Sequence, residues 1–355
     1  LTDVPSHSWI LPTLLTQAGV KILHIGCNPG SVSPDIPTLF WWEGPDGSRL
    51  LTFNWAEYYG SGVLPPATWK YKTWLAMIHT HENTGAPTPE DVAAVLKEAR
   101  EKAPNARIRI GQLEDFYDAL MKENPSLPVV KGDMPDTWIH GYMSMPKEVK
   151  INKAMQRVIY NTETLNSLLK QWDITPEPVE PYVEKAIEQS LLFDEHTFGL
   201  AMSHGHQDFW KYGDDFTVSR AQGLYDFIET SWNEKGSRAH RAEQYIIPSL
   251  RKDLKKLAQN VAVKGRKVVV YNPLPWKRSG LVSFHMGVYK KNYQVYGLKD
   301  ELTGKILPVY NDYNHLSFHA EDISSLGYKT YTLVTSHISE DSRSSRIDEV
   351  KAVLE

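Results

Sequence analysis

Cysteine is nearly missing from this chain: Cys27 is the single one among 355 residues. One cysteine excludes an internal disulfide and any metal site built on several thiolates. Long apolar runs are missing too. None approaches the ~20 consecutive apolar residues that a bilayer-crossing helix needs, so no membrane segment is expected. Nor is charge of one sign concentrated. The 39 Lys and Arg against 43 Asp and Glu leave a net charge of −4 without a polybasic block, so nucleic acid is not an expected partner. The start, Leu1-Thr2-Asp3, carries neither an initiator Met nor a signal-peptide pattern, and the chain is expected to begin mid-domain.

What is plentiful is aromatic surface. Eleven Trp and 18 Tyr supply flat apolar faces with polar tips, which suit pyranose rings and also fill cores. A composition of 41% hydrophobic and 23% charged residues is that of a globular protein, and the length accommodates two or three domains.

Periodicity divides the chain in three. Up to about residue 130, Gly19–Ile25, Leu50–Trp55, Trp74–Thr80 and Arg107–Ile110 read as strands, while Pro89–Lys102 and Leu113–Asn124 read as helices. Interleaved strands and helices predict a mostly parallel sheet with functional groups at the carboxyl ends of its strands. Pro125-Ser126-Leu127-Pro128 closes this pattern. Met155, Val158, Ile159, Thr162, Leu165, Leu169 and Trp172 then recur at helical spacing, as do Phe216, Leu224, Phe227, Ile228 and Ser231. With a helix near Tyr182–Phe193 and another from about Lys235 to Val261, an antiparallel helical bundle is expected. From Val268-Val269-Val270-Tyr271 onward, strand-and-turn patterning predicts a β-sandwich, before a polar tail at Ser339–Arg346 and a short helical end at Ile347–Leu354. The expected fold is thus multidomain α/β, α and β: the C-terminal part of a (β/α) barrel-like domain over 1–144, a helical bundle over 145–262, and the start of a β-sandwich over 263–355.

Four segments gather ionisable and aromatic residues. The first, Asp3-Val4-Pro5-Ser6-His7-Ser8-Trp9, places a carboxylate before a Pro turn; Asp3 either ends a strand or caps the following helix. The second, His79-Thr80-His81-Glu82, offers a carboxylate and two imidazoles that share one face of a strand. The third, Gly132-Asp133-Met134-Pro135-Asp136-Thr137-Trp138-Ile139-His140-Gly141, sets two carboxylates beside Trp138 and His140, either as an acid beside a sugar platform or as a plain Pro turn. The fourth, Phe193-Asp194-Glu195-His196-Thr197-Phe198-Gly199, leads to His204-Gly205-His206 and offers His196 as a loop ligand or a solvated imidazole.

Together these segments resemble glycoside hydrolase family 38, the zinc-dependent retaining α-mannosidases, or a divergent branch of it, truncated at the N-terminus. Asp3-Val4-Pro5-Ser6-His7-Ser8 is similar to the family's D-P-F-G-H-S/T segment. Phe40-Trp41-Trp42-Glu43-Gly44-Pro45-Asp46-Gly47-Ser48 is similar to its aromatic stretch ending in a D-G-S turn. Val268–Trp276 and Leu326–Tyr331 resemble strands of its β domain. The resemblance implies Asp3 as nucleophile and zinc ligand, His196 as a second ligand, and two more ligands from an H-x-D segment not found in this chain. It also implies Asp133 as general acid, a carbohydrate substrate, and sugar contacts from Trp9, one of Trp41 and Trp42, Trp138, His140 and Phe198. Glu195 and Thr197-Phe198 depart from the family's usual surroundings of that histidine, which implies altered sugar preference. Two other readings are a non-catalytic carbohydrate-binding relative and a metal-dependent carbohydrate deacetylase using His79 and His81. A homo-oligomer is left open.

Overall fold

The computed structural model describes residues 2, 4, 6–77, 85–198, 210–286, 293–312 and 315–337. The elements run in the order β1 (Ser6–His7), α1 (Leu11–Gln17), β2 (Ile22–Gly26), β3 (Leu39–Glu43), β4 (Arg49–Trp55), α2 (Pro89–Lys102), α3 (Leu113–Met121), β5 (Val129–Lys131), β6 (Met134–Pro135), a 3₁₀ turn (Thr137–Ile139) and α4 (His140–Ser144). They continue with α5 (Pro146–Gln171), α6 (Glu180–Phe193), α7 (Gly213–Ala221), α8 (Asp226–Asn260), β7 (Lys267–Asn272), β8 (Arg278–His285), β9 (Tyr293–Asp300), β10 (Ile306–Pro308), β11 (Tyr310–Asp312), β12 (His315–Ile323) and β13 (Gly327–His337). No helix among the described residues is long and apolar enough to cross a membrane. The chain divides into two compact units, Leu1–Pro146 with Glu195–Val218, and Lys147–Asp194 with Ser219–Glu355.

The first unit is organised by a four-stranded sheet in the order β2-β4-β3-β5. It is mixed rather than mostly parallel: β2 runs parallel to β4 and β3 parallel to β5, but β3 and β4 are antiparallel. The cause is the Gly44–Ser48 hairpin turn. Gly47 takes φ +84°, and Asp46 accepts from the Ser48 N–H at 3.0 Å and the Ser48 hydroxyl at 2.8 Å. Side chains alternate across the sheet. Ile22, Leu39, Leu51 and Phe53 pack against Phe116 and Leu120 of α3, whereas Leu23, Ile25, Phe40, Trp42 and Leu50 pack with Met134, Leu11 and Leu15.

Arg107–Ile110 and the described part of the other expected strand, residues 74–77, are not strands. Trp74 instead joins an aromatic cluster with Phe53, Trp55 and Trp69, at centroid distances of 5.6, 5.7 and 4.9 Å, so its side chain fills the core without a ladder partner. Arg107–Ile110 leads into α3: Arg109 pairs with Asp115, which also accepts the Gln112 N–H that opens the helix. The other predicted helix, α2, is opened by a capping box between Thr88 and Asp91.

In the second unit, Met155 and Ile159 of α5, Val183 and Ala186 of α6, and Ala242 and Ile246 of α8 share one core. Helix α8 is longer than its periodicity predicts. The chain from Phe216 to Ser231 is not one helix, because α7 stops before Gly223 at φ +83° and α8 then begins at Asp226. Phe227 is 75% exposed while Ile228 is buried, so the apolar stripe there points only partly inward. Beyond α8, two antiparallel sheets, β10-β9-β13-β7 and β11-β12-β8, enclose Leu298, Leu307, Leu316, Phe318, Ala320 and Tyr331. The ion pair of Lys329 Nζ with Asp300 Oδ2, 2.9 Å long, is buried in this layer. The polar tail and helical end expected after residue 338 lie outside the described residues.

Candidate active site

In the first unit β2 and β4 end side by side, and Gly26 and Asn54 stand at their carboxyl ends. A narrow cleft opens there, lined by Val4, His7, Cys27, Asn54, Met134 and Asp136 among others. Gly26 is required by close approach: a Cβ on it would lie 2.7 Å from both Cα and O of Tyr59. Burial lowers the His7 pKa to about 4 and raises the Cys27 thiol, with the Asp136 charge adding to the latter. At neutral pH the cleft therefore presents a neutral imidazole and a protonated thiol.

Three of the four segments singled out in the sequence converge within this unit. Strand β1 pairs with β6, placing Ser6 opposite Pro135 and His7 opposite Met134. The Trp9 backbone N–H donates to Asp133 Oδ1 at 2.7 Å, and Trp9 Nε1 donates to the Glu43 carbonyl at 2.8 Å. The third segment meets the fourth where the Trp138 and His196 rings lie edge to face at 5.3 Å and the Tyr142 and Phe198 rings lie 4.5 Å apart. Thr137 is also tied to the cleft loop, since its hydroxyl accepts the Val32 N–H at 2.8 Å.

Other placements are less convergent. Trp42 is fully buried, with Nε1 donating to the Gly132 carbonyl at 3.0 Å, and Trp41 packs against the opposite apolar cluster beside α3. Phe198 is buried and holds φ +51°, a strained value for an aromatic residue. Asp3, His79, His81, Glu82, His204, His206 and the side chain of His140 lie outside the described residues. Asp133 follows β5, which runs opposite to β2 and β4, so it does not line the cleft; Asp136, three residues on, does. Cys27 and Asn54 were readable in principle from the rule that sites follow parallel strands, but only once the pairing of β2 with β4 was known, whereas Asp136, one of the two carboxylates of the third segment, reaches the cleft after β6.

His196 suits a metal in one respect. Its Nδ1 lies 2.7 Å from Glu195 Oε1, the second-sphere arrangement that fixes an imidazole so that Nε2 can ligate. Among the described residues no group of three or more His, Cys, Asp or Glu is placed to hold a metal ion.

No family model and no curated protein matches the sequence. Among solved structures, 94% of the chain is similar in fold to an α-mannosidase from Enterococcus faecalis V583, with a TM-score of 0.51 and 13% identity. The chain spans 42% of that protein's length. The class this defines is a mixed α/β, mannosidase-like fold with helices and several antiparallel sheets.

Proposed function

We propose that this chain belongs to a retaining glycosidase acting on α-mannosides or related glycosides. The observation that carries the reading is the mannosidase-like fold over 94% of the chain; the convergence of the Asp133, Trp138 and His196 segments supports it. Retention requires two carboxyl groups about 5–5.5 Å apart, one attacking the anomeric carbon and one protonating the leaving oxygen, then activating water. Asp3 is proposed for the attack. For the proton, Asp133 is the residue that the family resemblance implies, while the position of Asp136 at the cleft supports Asp136 instead. Trp9 and Trp138, partly exposed, are proposed to stack on sugar faces, with His140 and Phe198 shaping the pocket.

Zinc is proposed as cofactor, with His196 and Asp3 among its ligands; when bound it supplies a template and Lewis acid for sugar hydroxyls. Among the described residues, His196 is the one fitting donor. Hydrolysis of an aryl α-mannoside by the purified protein, before and after chelation, is the test. Loss of at least 10²-fold in Asp3→Asn, and in either Asp133→Asn or Asp136→Asn, is expected. Carbohydrate binding without turnover would favour the non-catalytic relative, and deacetylation lost with His79→Ala or His81→Ala would favour the deacetylase.

A further inference from the structure

On the three-stranded sheet of the second unit, Leu316, Phe318 and Ala320 point into the core, so the alternate positions of β12 face outward. On that outer face His285 of β8 stands directly opposite His315 of β12 in the ladder, and Asp312 of β11 stands opposite His315 on its other side. Asp312, His315 and His285 thus form one row across three strands, all exposed. The two imidazole rings are 5.1 Å apart between centroids, with their planes at 77°.

We propose that His285 and His315 form a two-imidazole site for a borderline divalent transition metal, such as Cu²⁺, Ni²⁺ or Zn²⁺. The spacing fits. With metal–nitrogen bonds of about 2.0–2.1 Å and a ring centre roughly 1.2 Å beyond the nitrogen, two imidazoles on one tetrahedral ion have centroids about 5 Å apart. The register is fixed, because directly opposed residues of an antiparallel pair hold their Cβ atoms about 4.5–5.5 Å apart. The pair is therefore arranged before metal arrives, and little side-chain freedom is lost on binding. Charge favours a cation: Asp312 adds a carboxylate to the row, and the next outward row, Tyr310, Ser317 and Ser283, is uncharged. The Ser283 and Ser317 hydroxyls, 2.7 Å apart, bridge the same two strands and steady the geometry. Nitrogen donors select this class of metal over Ca²⁺ and Mg²⁺ and favour Cu²⁺ within it. With most of the coordination shell left to water, binding is exchangeable, and it clips β8 to β12.

The experiment is calorimetric titration of the whole chain with Cu²⁺ and with Ni²⁺, paired with electron paramagnetic resonance of the Cu²⁺ complex. In the His196→Gln background, which removes a ligand of the proposed zinc site, one saturable site per chain is expected, with nitrogen superhyperfine structure from two imidazoles. In that background His285→Gln and His315→Gln should each weaken binding at least tenfold, while His319→Gln on the same face leaves it unchanged. The proposal is overturned by no saturable binding below about 100 µM metal, by oxygen-only coordination of Cu²⁺, or by unchanged affinity in the His285 and His315 variants.

Discussion

The backbone N–H of Trp9 and the carboxylate of Asp133 meet at 2.7 Å across 124 residues of chain. The bond adds to the pairing of β1 with β6, in which each strand offers only two paired residues. Removing the acceptor leaves a backbone donor without its partner. Asp133→Ala should lower stability by about 1–2 kcal/mol, whereas Asp133→Asn, which keeps a carbonyl oxygen, should stay within about 0.5 kcal/mol. Urea unfolding of both variants checks this, and equal losses would show that the charge rather than the acceptor is what matters.

Gly26 carries a second prediction. Any side chain there strikes the Tyr59 backbone, which cannot rotate away. Gly26→Ala should cost about 2 kcal/mol or more by overpacking, read as a lowered unfolding midpoint. A wild-type midpoint would mean that the Tyr59 segment yields.

The pH dependence of stability follows from two buried imidazoles. Burial lowers the pKa of His7 and of His24 to about 4, from 6.5. Between those values the unfolded chain binds more protons than the folded one, so the stabilising contribution is complete above about pH 6.5 and is lost as pH falls toward 4. Each contributes on the order of 3 kcal/mol across that window, at about 1.4 kcal/mol per unit. Denaturation midpoints between pH 7 and 4.5 should fall steeply, and less steeply in His24→Gln. An identical slope in that variant would assign the acid sensitivity to other groups.

The Asp300–Lys329 pair is nearly closed to solvent, at 6% and 9% side-chain exposure. Lys329→Met strands a buried carboxylate and should cost about 3–5 kcal/mol. Adding Asp300→Asn to that variant should restore part of the loss, because the amide oxygen can still accept from Leu302 N–H while the charge is gone. If the double variant is no better than the single one, the cost lies in packing rather than charge.

The sequence revealed elements more readily than their pairing. Helix α2 is written in Thr88-Pro89-Glu90-Asp91, a cap with an acidic first turn, and the Asp46-Gly47-Ser48 turn is equally local. Whether β3 turns back on β4 with β5 alongside depends on contacts far apart in the chain, and that reversal moves Asp133 away from the cleft that Asp136 lines. Trp74 misled for a related reason: its apolar neighbours looked like a strand, but its partners are rings on other segments. At the candidate site the four segments were visible in composition, while the pairings of Trp9 with Asp133 and of Trp138 with His196 are tertiary and left no local trace.

The same reversal divides labour along the sheet of the first unit. At the hairpin end, Glu43 is clamped by Arg49 and Lys131, and Asp46 accepts the Thr13 hydroxyl at 2.6 Å, so that end is bolted. At the other end, Gly26, Cys27 and Asn54 line the narrow cleft. The polar and ionic ties are thus gathered at the hairpin end, while the cleft end is held by close backbone packing such as that of Gly26 against Tyr59.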